Sequence, residues 1–111
     1  MLPAAHRIRR SEDFRDVLRR GAKSRSELGL VSVLPVANGP ARLGVVVSRK
    51  VGGAVVRNTL KRRIRHAFAS FIPRMPPADV VVRCAESAAG LDTQQIEDIL
   101  QRALGIGETS E

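Results

Sequence analysis

The chain has no tryptophan and no tyrosine, and its only aromatic carbocycles are Phe14, Phe68 and Phe71. Its core must therefore be aliphatic. A single cysteine, Cys84, excludes an internal disulfide and suits a reducing compartment. No apolar run approaches the ~20 residues needed to span a bilayer. The N-terminal MLPAAHRIRR lacks the apolar centre of a secretory signal. These absences together lead us to expect a cytoplasmic protein. Acids are missing from the whole interval between Glu27 and Asp79. There is no HExxH, phosphate-loop or GxSxG motif. His6 and His66 have no partner at metal-ligand spacing, so neither a protein-bound metal nor a catalytic residue is expected. The acids Glu12, Asp13 and Asp16 cluster, but a helix N-terminus accounts for them.

What is present is positive charge, unevenly placed. Net charge is +8 over 111 residues. Residues 1–74 hold 17 lysines and arginines against 4 acids, and residues 75–111 hold 2 against 7. A field concentrated in one part of a chain points to nucleic acid or an anionic surface. Arginines outnumber lysines 16 to 3, which favours bidentate phosphate binding. Length predicts one domain, 1–111, with a basic arm at 1–10 and a frayed tail at 106–111.

The pattern along the chain predicts α-β-β-α-β-α, an α+β or layered α/β sandwich with a small mixed sheet. A first helix covers SEDFRDVLRR, with Ser11 as N-cap, Phe14, Val17 and Leu18 on one face, and Gly21 as its stop. Residues 22–27 read as a polar loop. LGLVSVLPV is a strand, NGP at 38–40 a turn and RLGVVVSRK a second strand, most simply joined as a hairpin. Val45, Val46 and Val47 in succession predict a central strand buried on both faces. After Gly52 and Gly53 a helix runs over 55–72 until Pro73, Pro76 and Pro77. ADVVVRC is a third strand, with Cys84 as a small buried hydrophobe. A last helix lies between Asp92 and Gly105, with Asp92 and Gln95 forming a capping box. The second strand, long helix and third strand can form a parallel β-α-β unit, right-handed by the general rule.

The most informative stretch is VVRNTLKRRIRHAF, residues 55–68. On a helical projection Val56, Leu60, Ile64, Ala67 and Phe71 form one stripe. Arg57, Asn58, Lys61, Arg62 and Arg65 form another, while Arg63 sits apart. Like charges at i, i+4 destabilise an isolated helix by a few tenths of a kcal/mol per pair. No acid relieves them. A solvated face and a membrane surface remain alternatives. The membrane reading is weaker, because the apolar stripe is needed for the core and no tryptophan anchors it. An anionic partner accounts best for an unrelieved ridge, and Asn58 adds a donor and acceptor suited to phosphate or a 2′-hydroxyl. Arg49 and Lys50 extend the surface.

RKVGGAVVRNTLKRRIRHAF resembles the signature of the bacterial ribonuclease P protein subunit family: a strand ending in Ser-(Lys/Arg)-Lys, a Gly-Asn-Ala turn, and a helix of the form R-N-x-x-K-R-x-x-R. Ser48, Arg49, Lys50, Gly52, Ala54, Arg57, Asn58, Lys61, Arg62 and Arg65 match. The SEDF…G helix is similar too, and the resemblance spans residues 6–105. Gly53 replaces the usual Asn, and Thr59 replaces a usual Arg or Lys. The resemblance implies a left-handed β-α-β crossover, against the general rule. It implies a ribonucleoprotein endonuclease that hydrolyses one phosphodiester to remove the 5′ leader of precursor tRNA, with one protein per catalytic RNA. The active site and its Mg²⁺ would lie in the RNA. Arg49, Lys50, Arg57, Asn58, Lys61, Arg62 and Arg65 would contact RNA. Phe14, Leu18, Ser32 and Ser48 would belong to a leader cleft between the first helix and the sheet. With Phe14 its only aromatic, that cleft would depend on charge more than on stacking, which is worth ~1–3 kcal/mol per base. A non-enzymic RNA-binding or ribosome-associated protein and a free-standing nuclease are the competing readings. Self-repulsion among the cations also makes anion-dependent folding an expectation.

Overall fold

The computed structural model describes residues 2–105. A frayed tail expected at 106–111 lies outside that range. Helix α1 is Ser11–Arg20, followed by strands β1 (Ala22–Ser26), β2 (Gly29–Pro35) and β3 (Arg42–Val46). Helix α2 is Ala54–Phe71, strand β4 is Ala78–Cys84 and helix α3 is Thr93–Leu104. The four strands form one sheet in the order β1-β2-β4-β3. β2 pairs antiparallel with β1 on one side and β4 on the other, and β3 pairs parallel to β4. The result is a mixed sheet between helices, the class expected.

Three expectations about the sheet fail. Residues 22–26 are a strand, although AKSRS is exposed throughout and shows no alternation. Its partner is fixed by the turn beyond it. Leu28 is wholly buried and anchors the turn in the core, while its backbone N–H is accepted by the Ser26 hydroxyl at 3.2 Å. Gly29 then takes φ +131, and a Cβ there would collide with the Arg83 carbonyl oxygen. β2 and β3 are also not a hairpin, because β4 lies between them. β3 is therefore an edge strand, ending at Val46, which is 37% exposed. The strand buried on both faces is β4, from Ala78 to Val82.

β4 divides the core. Val80 and Val82 face the larger cluster, with Leu60, Ile64, Phe68 and Phe71 of α2 and Ile96, Ile99 and Leu100 of α3. Val81 faces a smaller cluster with Val17 of α1 and Ile8 of the N-terminal arm. The stripe predicted on α2 is buried at Leu60, Ile64, Ala67 and Phe71, but Val56 is exposed and Phe68 completes the face. Cys84 packs partly against the larger cluster, and burial pushes its thiol from 9.0 up to about 12.

The helix ends differ from one another. Asp92 accepts from the Gln95 N–H at 2.8 Å, and the Gln95 side chain accepts from the Asp92 N–H at 2.9 Å. Gly105 closes α3 in the left-handed region at φ 70. The expected Ser11 cap does not form. Arg10 occupies the N-cap of α1, and no side chain caps it. α1 is instead held by tertiary contact. Arg42 of β3 donates from Nε and Nη2 to Asp79 at 2.9 and 2.7 Å, and from Nη1 to Asp13 of α1 at 3.4 Å. The hydrogen bonds to Asp79 raise the Arg42 pKa against the opposing effect of burial.

A candidate RNA interface

α2 is where local rules and tertiary packing part company. Gly53 precedes it without a side-chain cap, and neither end carries a charge that favours the helix dipole. Its helical state rests on the buried stripe, and that leaves the opposite face free for cations. Asn58, Lys61, Arg62, Arg65 and His66 line a cleft of about 470 Å³. The other wall is Leu2 and Arg7 of the N-terminal arm. No acid lines it.

The arm is more than a charged extension. Leu2 and Ile8 are buried, residues 4–6 form a single 3-10 turn, and Arg7 bridges in parallel to Leu43 on the edge of β3. The Ile8 N–H donates to the Leu43 carbonyl at 2.9 Å, and His6 Nδ1 lies 2.7 Å from the Ala41 carbonyl oxygen. Arg7 donates through Nε to the Leu2 carbonyl at 2.9 Å. These bonds hold Arg7 beside Arg65, whose pKa is lowered by burial first and by Arg7 second. Two cations kept this close without an acid raise the local positive potential. The sequence signal for this arm was weak, since its buried positions Leu2 and Ile8 have no helical or strand period.

The cations of α2 are not equivalent. Lys61, Arg62 and Arg65 reach the cleft. Arg57 donates through Nε to the Gly52 carbonyl at 3.2 Å, which closes the start of the helix. Arg63 donates to the Leu91 carbonyl at 2.8 Å and ties α2 to the segment before α3. Arg49 and Lys50 are exposed in the turn between β3 and α2, where the Val51 N–H donates to the Ser48 carbonyl at 3.1 Å.

Of the four residues assigned to a leader cleft, Phe14 alone lines the open cleft beside β3. Phe14 lies over Gly44, so closely that a Cβ at Gly44 would strike the ring. The ring packs against the small cluster and also lines a second cleft of about 230 Å³ with Arg7, Arg9, Leu43, Val45 and Arg65. Phe14 thus serves core and surface together. Leu18 packs in the same small cluster and does not line that cleft. Ser32 is wholly buried beside Val81, with its hydroxyl unpartnered, so it has no accessible surface to offer a strand of RNA. Ser48 is exposed in the turn outside the cleft. Arg7, Arg9 and Gly44 are the lining residues that motif reasoning missed.

This cleft offers three guanidinium groups, an ammonium, one imidazole and a single amide, with no carboxylate to anchor a divalent cation against that positive charge. Among the described residues no group of three or more His, Cys, Asp or Glu could hold a metal ion. Mg²⁺ therefore has no fitting site on this face. Among the described residues no helix is long and apolar enough to cross a membrane.

Comparison with known proteins places this surface in context. The family model described as Ribonuclease P matches residues 2–106. A ribonuclease P protein component from a Nocardioides species is 43% identical over 108 residues, covering 94% of this chain and 92% of its own. The structure of the Staphylococcus aureus RNase P protein superposes with a TM-score of 0.80 at 31% identity, over 92% of this chain and 94% of that one. The RNase P protein from Thermotoga maritima gives 0.78 at 29% identity, over 93% and 98%. With a family match over nearly its full length and the same fold in solved relatives, this chain belongs to the bacterial ribonuclease P protein family, the protein component of a ribonucleoprotein endoribonuclease.

Proposed function

We propose that this protein binds the catalytic RNA of ribonuclease P through the outer face of α2. It contacts the 5′ leader of precursor tRNA through the Phe14 cleft. In the cytoplasm, one protein per RNA then assists Mg²⁺-dependent hydrolysis of the phosphodiester that frees the mature tRNA 5′ end. The observation that carries this reading is the acid-free cleft lined by Arg7, Asn58, Lys61, Arg62 and Arg65. Arg49 and Lys50 extend it from the preceding turn. An ordinary solvated helix face intersperses acids, and a polyanion supplies the counter-charge missing here.

The protein contributes binding and orientation in this scheme. Its cations neutralise phosphates of both RNAs, so that two polyanions can approach at low Mg²⁺. The chain contributes no nucleophile or general base, and Mg²⁺ with its chemistry is assigned to the RNA. Reconstitution tests this. Purified protein is combined with catalytic RNA and precursor tRNA, and each component is omitted in turn. Cleavage that needs the RNA, and is stimulated by the protein at low Mg²⁺, is the expected result. Cleavage by protein alone would establish a free-standing nuclease. No stimulation would leave a non-enzymic RNA-binding protein.

A further inference from the structure

α1 reaches the sheet through few contacts. It lies over the row of Ser32, Val81 and Gly44, in which Val81 pairs with both of the others. Val17, Val81 and Ile8 are buried there, and Phe14, Leu18 and Leu34 pack partly against them. Apolar contact is non-directional, so it resists lifting of the helix more than its rotation. No side chain caps α1, and the buried Ser32 hydroxyl beneath it has no partner. The ion pairs Arg10–Glu12 and Arg19–Asp16 are local and exposed. Among the described residues, one side-chain hydrogen bond joins α1 to the sheet, from Arg42 to Asp13. Arg42 pairs with Asp79 across β3 and β4, two residues before Gly44 and Val81, and so on the face that carries α1. The buried Asp79 takes Nε and Nη2 of Arg42, which fixes the guanidinium plane. Nη1 is left facing the Asp13 carboxylate at 3.4 Å. Asp13 immediately precedes Phe14.

We infer that Arg42, clamped by Asp79, is a positioning residue for the Phe14 cleft: through Asp13 it sets the rotation of α1 that holds the Phe14 ring over Gly44. Two neighbouring residues of one helix, Asp13 and Phe14, meet two same-face positions of one strand, Arg42 and Gly44. One contact between a helix and a strand leaves the helix free to turn about it, and two define an orientation. The Arg42–Asp13 pair is also placed to act directionally. Its side chains are 31% and 26% exposed, against 73% and 63% for Arg10–Glu12, so solvent screens it less. Arginine is required at this position. A lysine is a point charge and cannot engage both Asp79 oxygens while still facing Asp13. A stacking ring is useful only where its plane is held to within about 10–20°. Arg42 touches neither the Phe14 cleft nor the α2 cleft, so its effect on binding passes through α1.

The inference rests on the proposed contact between Phe14 and the leader, and a double-mutant cycle separates the two. Holoenzyme is reconstituted with wild-type protein, Asp13→Ala, Asp13→Glu, Arg42→Lys, Phe14→Ala and the Asp13→Ala/Phe14→Ala double variant. Affinity is measured for precursor tRNA and for mature tRNA without a leader. Asp13→Ala should weaken precursor binding roughly fivefold, the low end of one base stack, and leave mature tRNA and catalytic RNA bound as by wild type. In the Phe14→Ala background the same substitution should cost nothing further, because Asp13 acts through the ring. Asp13→Glu, whose longer carboxylate still reaches Nη1, should recover the affinity. Arg42→Lys, which keeps a charge beside Asp79 but loses the fork, should show the same selective loss. Losses that add in the double variant, or that fall equally on precursor and mature tRNA, would leave the pair a structural contact and overturn the inference. Wild-type or tighter precursor binding by Asp13→Ala, with Phe14→Ala still weakened, overturns the positioning role alone. Unchanged precursor affinity in Phe14→Ala overturns the leader reading itself, and the positioning role with it.

Discussion

α2 and α3 pack on the same side of the sheet, yet they are built on opposite terms. α3 satisfies most local rules: a reciprocal capping box at Asp92 and Gln95, a left-handed glycine at 105, and Arg102 in its last turn, although its first turn, like that of α2, holds no acid. α2 satisfies almost none. It lacks a side-chain cap, an acid in its first turn and a base in its last, and it carries a run of cations in between. Only its buried face, with Leu60, Ile64, Phe68 and Phe71, keeps it helical. A helix that breaks local rules while its neighbour keeps them marks the place where function is built.

The contrast can be broken most forcefully from inside. Phe68→Ala removes a fully buried ring from α2 and should cost about 3–5 kcal/mol, read as a lower urea midpoint and lost RNA binding together. Asp92→Ala is the corresponding change in α3. It should cost about 1 kcal/mol of stability while leaving affinity for catalytic RNA unchanged. Lys61→Ala and Arg62→Ala should do the reverse. Each should lower the slope of binding against salt by about 1, whereas stability stays constant or rises by a few tenths of a kcal/mol as like-charge repulsion is relieved. Unchanged affinity in both would remove the α2 face from the RNA interface. Arg57→Ala is a less selective probe, because it also breaks the bond to Gly52. The smallest effect is expected at Gly53, where a Cβ meets nothing within 4 Å. Gly53→Asp should add the missing cap, worth a few tenths of a kcal/mol over glycine, and weaken RNA binding through its charge. A variant that gained both stability and affinity would contradict the division between the two helices.

The pH response of Cys84 follows from its burial. Its thiol is held from 9.0 up to about 12 in the folded state, so the folded chain keeps a proton that the unfolded chain releases. Stability should be insensitive to this group below pH 9 and should fall between 9 and about 12. Cys84→Ala should flatten that part of the profile, measured by denaturant titration at stepped pH.

Much of the site was legible because its signals are local. Cations at i, i+4, i+8 with no acid nearby, an apolar stripe on the other side, and a spaced motif from Ser48 to Arg65 all lie within one short segment. The α3 caps were legible for the same reason. Illegible features depended on partners far along the chain. AKSRS became a strand because Leu28 is drawn into the core and Gly29 turns the chain back. Ser32 was expected in the leader cleft on the resemblance alone, but it is wholly buried in the row that α1 covers. Arg63 stands apart from the ridge on the helical projection, but its partner, the Leu91 carbonyl, lies too far along the chain for any local pattern to name. Leu2 and Ile8 looked like parts of a loose arm, but the edge of β3 accepts the Ile8 N–H.

The sequence by itself determined the helices, the apolar strands, the segregation of charge and the identity of the α2 ridge, since each depends on neighbours within a turn or two. Tertiary structure decided the rest. It inserted β4 between β2 and β3, which left Val46 on an edge. It set Phe14 over Gly44 and brought Arg7 against Arg65. These outcomes depend on which strand edges and side chains meet across long separations, and burial of the shared core settles that for all the elements together.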